Sequence, residues 1–248
     1  MNPQSDPMPG AYGKMPSNGD FVTRRLPASF LEPWDQWLRE AVSDSRAQLG
    51  ERWLETYLTS PVWRFALSPG TAGELAWAGV LIPSVDRVGR YFPLTLACAL
   101  AASSNPVEIM SGAQSWYDSA ERLILSCLED EFDLAGFDQQ VKELGAPQAA
   151  GPAVTLPPGS STHRRMPLPE QPGDACPALL RQALGELLFA FSVWWSRGSE
   201  RVEPSLLVCQ GLPPSRGYAA MLTGDWARWG WGQPGKGERR EGRSGGGT

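Results

Sequence analysis

The sequence predicts an α/β layered fold built on a mixed sheet, and three observations predict it. Apolar runs of strand length alternate with longer stretches of helical periodicity, so strands and helices interleave along the chain. The helical stretches are long enough to cover both faces of a sheet. Two neighbouring apolar runs, residues 75–82 and 91–100, are joined by one short charged turn, Asp86-Arg-Val-Gly-Arg90. A connection that short makes the two strands antiparallel, so the sheet is expected to be mixed. At 248 residues the chain makes one large domain or two small ones. A chain of that size buries roughly 70–75% of the surface its unfolded form exposes.

The elements follow in order. Residues 1–9 are polar and proline-rich and are expected to be disordered. Strands are expected at 11–15 and 21–26. Ser29-Phe-Leu-Glu32 has the form of a capping box, and Pro33 suits the first turn of a helix. Phe30, Trp34, Trp37, Leu38 and Ala41 recur at helical spacing, and the helix should run to about Leu49 before Gly50 breaks it. A short helix then carries Trp53, Leu54, Tyr57 and Leu58. Residues 62–67 alternate as a strand, with Pro69-Gly70 as the turn. Gly89 allows a positive φ in the charged turn, and Asp86 can bond the backbone two residues on. Asn105-Pro-Val-Glu108 starts a helix whose apolar stripe runs from Ile109 through Trp116, Tyr117, Ala120 and Ile124 to Leu128. A shorter helix is expected at about 137–144.

Residues 145–174 change character. Prolines mix there with Gly, Ser and Ala, a composition that cannot bury enough apolar area to offset its ordering entropy. The segment reads as a mobile loop. A helix through Leu179, Leu184 and Leu188 follows, then strands at 191–195 and 205–209. The Gly-rich, charged tail 233–248 is expected to be disordered.

Composition removes several function classes. The net charge of −5 has both signs spread along the chain, which argues against nucleic acid as a partner. No apolar run reaches ~18 residues, so no membrane insertion is expected. Residues 1–10 lack the charged and apolar parts of a secretory signal, which points to the cytoplasm. Cys98, Cys127, Cys176 and Cys209 form no Cys-x-x-Cys pair and read as reduced core residues. The single histidine, His163, lies in the Pro/Ser-rich stretch, so no metal, no cofactor and no Ser-His-Asp triad are expected. Gly230-Trp-Gly-Gln-Pro-Gly-Lys236 has phosphate-loop spacing, but Gly237 stands where a hydroxyl should reach magnesium. Eleven tryptophans predict a Trp-rich core. Trp226, Trp229 and Trp231 either close the domain edge or form an exposed aromatic binding face.

Lys14, Asp20, Asp86, Arg87 and Arg90 are the candidate site. Gly13 and Gly19 bracket Lys14 and Asp20, so that backbone is turn-like. If the two segments meet, two carboxylates face three cations. Such a set is either an ion-pair network pinning two loops or a patch for a partner. A catalytic centre would need a nucleophile or a base with a shifted pKa, and no histidine or paired cysteine is at hand; no catalytic residue is assigned.

Three words carry a resemblance. They are Tyr12-Gly-Lys-Met-Pro-Ser-Asn-Gly-Asp-Phe21, Trp63-Arg-Phe-Ala-Leu-Ser-Pro-Gly70, and the stretch from Trp77 through Asp86-Arg-Val-Gly-Arg90 to Leu94. Weaker ones are Val193-Trp-Trp-Ser-Arg-Gly-Ser199 and Gly217-Tyr-Ala-Ala-Met-Leu222. Together, over most of residues 10–232, the chain resembles the TagF family of type VI secretion-associated proteins. The resemblance implies a single domain in the form of a three-layer α/β/α sandwich. It implies a cytoplasmic accessory protein of a Gram-negative bacterium that represses secretion after translation by binding a secretion component, through the forkhead-associated scaffold protein, without catalysis. A ligand-sensing or hydrolytic α/β domain using the charged cluster stays open beside it.

Overall fold

The computed structural model describes residues 7–129, 132–148 and 172–232. In chain order the elements are β1 (Gly10–Gly13), β2 (Val22–Arg24), α1 (Ala28–Leu49), α2 (Trp53–Leu58), β3 (Trp63–Leu67), β4 (Ala76–Ile82) and β5 (Leu94–Leu100). They continue with α3 (Pro106–Gly112), α4 (Gln114–Leu125), α5 (Leu134–Leu144), α6 (Cys176–Leu187), β6 (Phe191–Ser196), β7 (Ser205–Gln210) and α7 (Tyr218–Thr223). The chain is a single α/β domain.

The described strands form one sheet in the order β2-β1-β5-β4-β3-β6-β7. Every neighbouring pair is antiparallel, so the sheet is not mixed. The cause lies in the connections. Short links join β3 to β4 and β4 to β5, which are neighbours. The helical connections instead carry the chain past other strands, from β2 to β3 and from β5 to β6, so they never place two parallel strands side by side.

Alternation along each strand builds an apolar cluster on each face. On one face Trp63, Phe65 and Leu67 of β3, Trp77 and Leu81 of β4, and Trp194 of β6 pack with Phe30, Trp34, Trp37 and Leu38 of α1, Tyr57 of α2 and Met221 of α7. On the other, Ala78, Val80 and Ile82 of β4 and Leu94, Leu96 and Cys98 of β5 meet Trp116, Tyr117 and Ala120 of α4 and Val141 of α5. Trp34 is the hub of the first cluster. It stacks on Trp194 with ring centres 5.8 Å apart, and its indole N–H donates to Thr95 Oγ1 at 2.9 Å. Seven tryptophans are buried; Trp195, Trp226, Trp229 and Trp231 are half-buried.

Several expectations change. The capping box does not form, because α1 starts at Ala28 with Pro27 as its N-cap and no side-chain cap bond. Pro33 therefore lies inside the helix. Asn105 caps α3 as its sequence suggests, accepting from Val107 N at 3.0 Å. The long helix expected beyond it is two, separated at Ala113, whose φ of −102° and ψ of 31° leave the helical region. Cys176 is exposed, unlike the other three cysteines, because it opens α6 instead of facing the sheet. Of the segments expected to be disordered, 1–6, 149–171 and 233–248 lie outside the described residues, as do His163 and most of the phosphate-loop look-alike. Their described ends are held. Pro9 is buried and its carbonyl accepts from Arg25 Nε at 2.8 Å. The Gly145 carbonyl accepts from Trp116 Nε1 at 2.8 Å.

Candidate functional site

The turn between β4 and β5 and the loop after β1 meet beside the sheet. Gly13 ends β1 at φ 138°, and a Cβ there would lie 2.1 Å from the Pro93 carbonyl oxygen. Only glycine lets the two segments approach this closely. The next residue, Lys14, thus enters the interior at 5% exposure. Its ammonium donates to Asp86 Oδ2 at 2.5 Å and lies 5.2 Å from the centre of the Phe21 ring. Ser84 adds a second tie, its hydroxyl donating to the Lys14 carbonyl at 2.7 Å. Tyr57 anchors Ser84 in turn. Its hydroxyl accepts from Ser84 N at 3.0 Å and donates to Ser84 O at 3.1 Å.

Asp86 is the centre of the cluster. Oδ1 accepts from the backbone N–H of Val88 at 3.0 Å and of Arg90 at 2.8 Å. Oδ2 accepts from Lys14 Nζ and from Arg90 Nε at 2.6 Å. Burial alone would push this carboxyl up, but these donors together hold it well below the ordinary carboxylate range. The turn closes on itself as Gly89 N donates to Asp86 O and Asp86 N to Arg90 O, each at 3.0 Å. Gly89 takes a φ of 84°.

Lys14, Asp86 and Arg90 are therefore brought together as the sequence suggests. Asp20 and Arg87 are not part of that core. Asp20 is fully exposed and its Oδ1 stands 3.8 Å from Arg90 Nη2. That Arg90 nitrogen donates to the Gly19 carbonyl. Arg87 N donates to Asn18 O at 2.9 Å, but its exposed guanidinium makes no ion pair among the described residues. The outer surface of the turn is Arg87 and Val88, the latter 65% exposed. Ser84 and Tyr57 were not legible as part of the site; Pro83-Ser84 just before Asp86 was the available signal.

The tryptophan candidates divide. Trp226 and Trp231 pack edge to face on each other, and Trp226 does the same on Trp63. Trp231 Nε1 donates to the Gly217 carbonyl at 2.9 Å. Trp229 lies under the Arg228 guanidinium at 4.7 Å, and its indole N–H is buried without a hydrogen-bond partner among the described residues.

Three of the four cysteines are insulated, and Cys176 is the exposed one. Burial pushes the Cys98, Cys127 and Cys209 thiols up to about 12. Among the described residues no group of three or more His, Cys, Asp or Glu could hold a metal ion, and no helix is long and apolar enough to cross a membrane.

Comparison with known proteins places this geometry. A comparison with curated proteins finds no match. A solved structure, that of PA0076 from Pseudomonas aeruginosa PAO1, is 42% identical with a TM-score of 0.77, over 88% of this chain and 94% of that one. The family model for the TagF N-terminal domain, type VI secretion system-associated, matches residues 10–144, which hold Lys14, the charged turn and five of the seven described strands. The chain belongs to the TagF family of type VI secretion-associated proteins.

Proposed function

We propose that this protein is a non-enzymatic accessory of the type VI secretion system that represses secretion after translation by binding one of its components in the cytoplasm. The forkhead-associated scaffold is the partner we favour. The carrying observation is the saturation of Asp86. With four donors on its two oxygens and its proton affinity depressed, it is a poor general base. The buried thiols of Cys98, Cys127 and Cys209 are poor nucleophiles for the opposite reason, because burial raises their proton affinity and keeps them protonated. The network instead rigidifies the turn, and a rigid turn presenting an arginine with no ion pair among the described residues beside an exposed valine suits binding. In this reading Arg87 and Val88 touch the partner, Asp20 and Arg90 form the rim, and residues 10–232 act as one unit. Helices on both faces of the sheet support the three-layer architecture. The saturated carboxylate disfavours a hydrolytic role for the same cluster.

The test is charge reversal at the tip. Arg87→Glu combined with Val88→Glu should release secretion in the host while moving the melting temperature by no more than about 2 °C, as for exposed substitutions. Silencing that survives both changes in a folded protein would remove the turn as the contact surface.

A further inference from the structure

The two edges of the sheet are built unlike each other. At one, β2 is three residues long, ends on Arg24 and is followed by Arg25, whose positive φ of 56° turns the chain away. Short length, charge and a kink are what keep an edge from pairing with another strand. At the other, β7 is Ser205-Leu-Leu-Val-Cys-Gln210, six residues with no charge and no proline. It pairs with β6 on one side, and among the described strands none lies on the other. Leu206 and Val208 are 59% and 44% exposed on one face of the sheet, while Trp226 and Trp231 pack on the opposite face. Between them, along the open edge, runs a groove of about 790 Å³ lined by residues 203–208, Trp226 and Trp231. Glu203 stands at the end where β7 begins, exposed, with no ion pair among the described residues.

We propose that the β7 edge is a second docking site, which takes an extended partner segment as an eighth, antiparallel strand. The open edge offers backbone donors and acceptors that only another backbone can match in register. The exposed Leu206 and Val208 ask for apolar residues at alternate positions of the segment, with Trp226 and Trp231 receiving the side chains between them. The carboxylate of Glu203 complements a lysine or arginine at the segment's C-terminal end, which antiparallel pairing places there. This site is about binding a segment of that chemistry and does not depend on the repressor reading, because its test needs no secretion assay.

The probe is a synthetic peptide, Thr-Val-Thr-Val-Thr-Val-Lys, against its counterpart ending in Glu. Binding to the full-length chain is measured by titration, and amide hydrogen exchange reads residues 205–210. The Lys peptide should bind and slow exchange across that strand. Leu206→Lys with Val208→Lys should weaken it at least about tenfold, and Glu203→Lys should reverse the preference toward the Glu peptide. Both variants alter exposed side chains, and unchanged melting temperatures establish that they fold. No binding, or binding without protection of 205–210, would overturn the proposal. So would amides already protected in the free protein: protection lost on removing residues 233–248 would make the chain's own tail the occupant, and protection lost on dilution a second copy.

Discussion

Lys14 and Arg64 are both buried cations, 5% and 2% exposed, yet their counter-charges sit in opposite surroundings. Lys14 faces Asp86, whose side chain is wholly inaccessible. Arg64, on β3, reaches through the sheet face to α4. Its Nη2 donates to Asp118 Oδ1 at 2.7 Å and its Nε to Glu121 Oε2 at 2.8 Å, and those carboxylates are 39% and 21% exposed. Asp118 also takes Arg197 Nη2 at 2.5 Å. The lysine centre is a point charge closed in by one saturated carboxylate. The arginine centre is a fork shared among partners that water still reaches. The comparison teaches that a buried charge is not by itself a site. What matters is how much remains when one partner goes.

The largest effect should follow from Asp86→Ala. It leaves a buried ammonium without its counter-charge and removes four acceptor contacts from the turn. Melting should fall by on the order of 10 °C, read by calorimetry at pH 7. Lys14→Met with Asp86→Val should recover part of that loss, since removing both charges avoids the unpaired one. An unchanged melting temperature for Asp86→Ala would mean that the buried pair does not form.

Arg64→Leu should cost less, roughly 3–6 °C, because the carboxylates it abandons can hydrate. Asp118→Ala should cost less again, about 1–2 °C, because Glu121 keeps the guanidinium paired. Equal losses for Asp86→Ala and Asp118→Ala would erase the distinction between the two centres.

Acid should sharpen the comparison. The folded protein holds Asp86 below its ordinary value, so its contribution is fully present above the unfolded carboxylate value of about 4 and is lost as pH falls through and below that value. Asp118, lowered chiefly by its hydrogen bond from Arg64, acts in the same direction. Melting followed from pH 7 to pH 3 should decline below about pH 5. Asp86→Asn should flatten that decline more than Asp118→Asn. A slope untouched by Asp86→Asn would contradict the depressed carboxyl.

The sequence reading reached one of these centres and missed the other for a physical reason. Asp86, Gly89 and Arg90 lie within one turn, and Gly13 beside Lys14 marked a close approach, so the first cluster was legible as local chemistry. Arg64 sits in a run whose five residues are all buried, and its partners lie on a helix beyond two further strands. Nothing local distinguishes it from an exposed strand arginine. Four strands, β3, β4, β6 and β7, were found to within one residue because their apolar runs are bounded by turns, whereas the runs expected at 11–15, 21–26 and 91–100 missed an end by two or three residues. Of their pairing only the antiparallel β4–β5 pair was legible, from the short charged turn that joins it; the rest was not, because the order in which helices return the chain to the sheet is a tertiary outcome. The break at Ala113 and the helix α7 were missed alike, the first because the apolar stripe continues through it, the second because six residues give too little periodicity.

The central claim is that this chain acts by occupying a partner and not by turnover. The direct measurement is secretion in the host against a titrated copy number of the protein, with the apparatus proteins and the scaffold quantified in the same cells. Repression should rise with copy number and saturate near the partner's own abundance, with apparatus levels unchanged. Full silencing at a copy number far below that of every candidate partner would contradict the account and require catalysis.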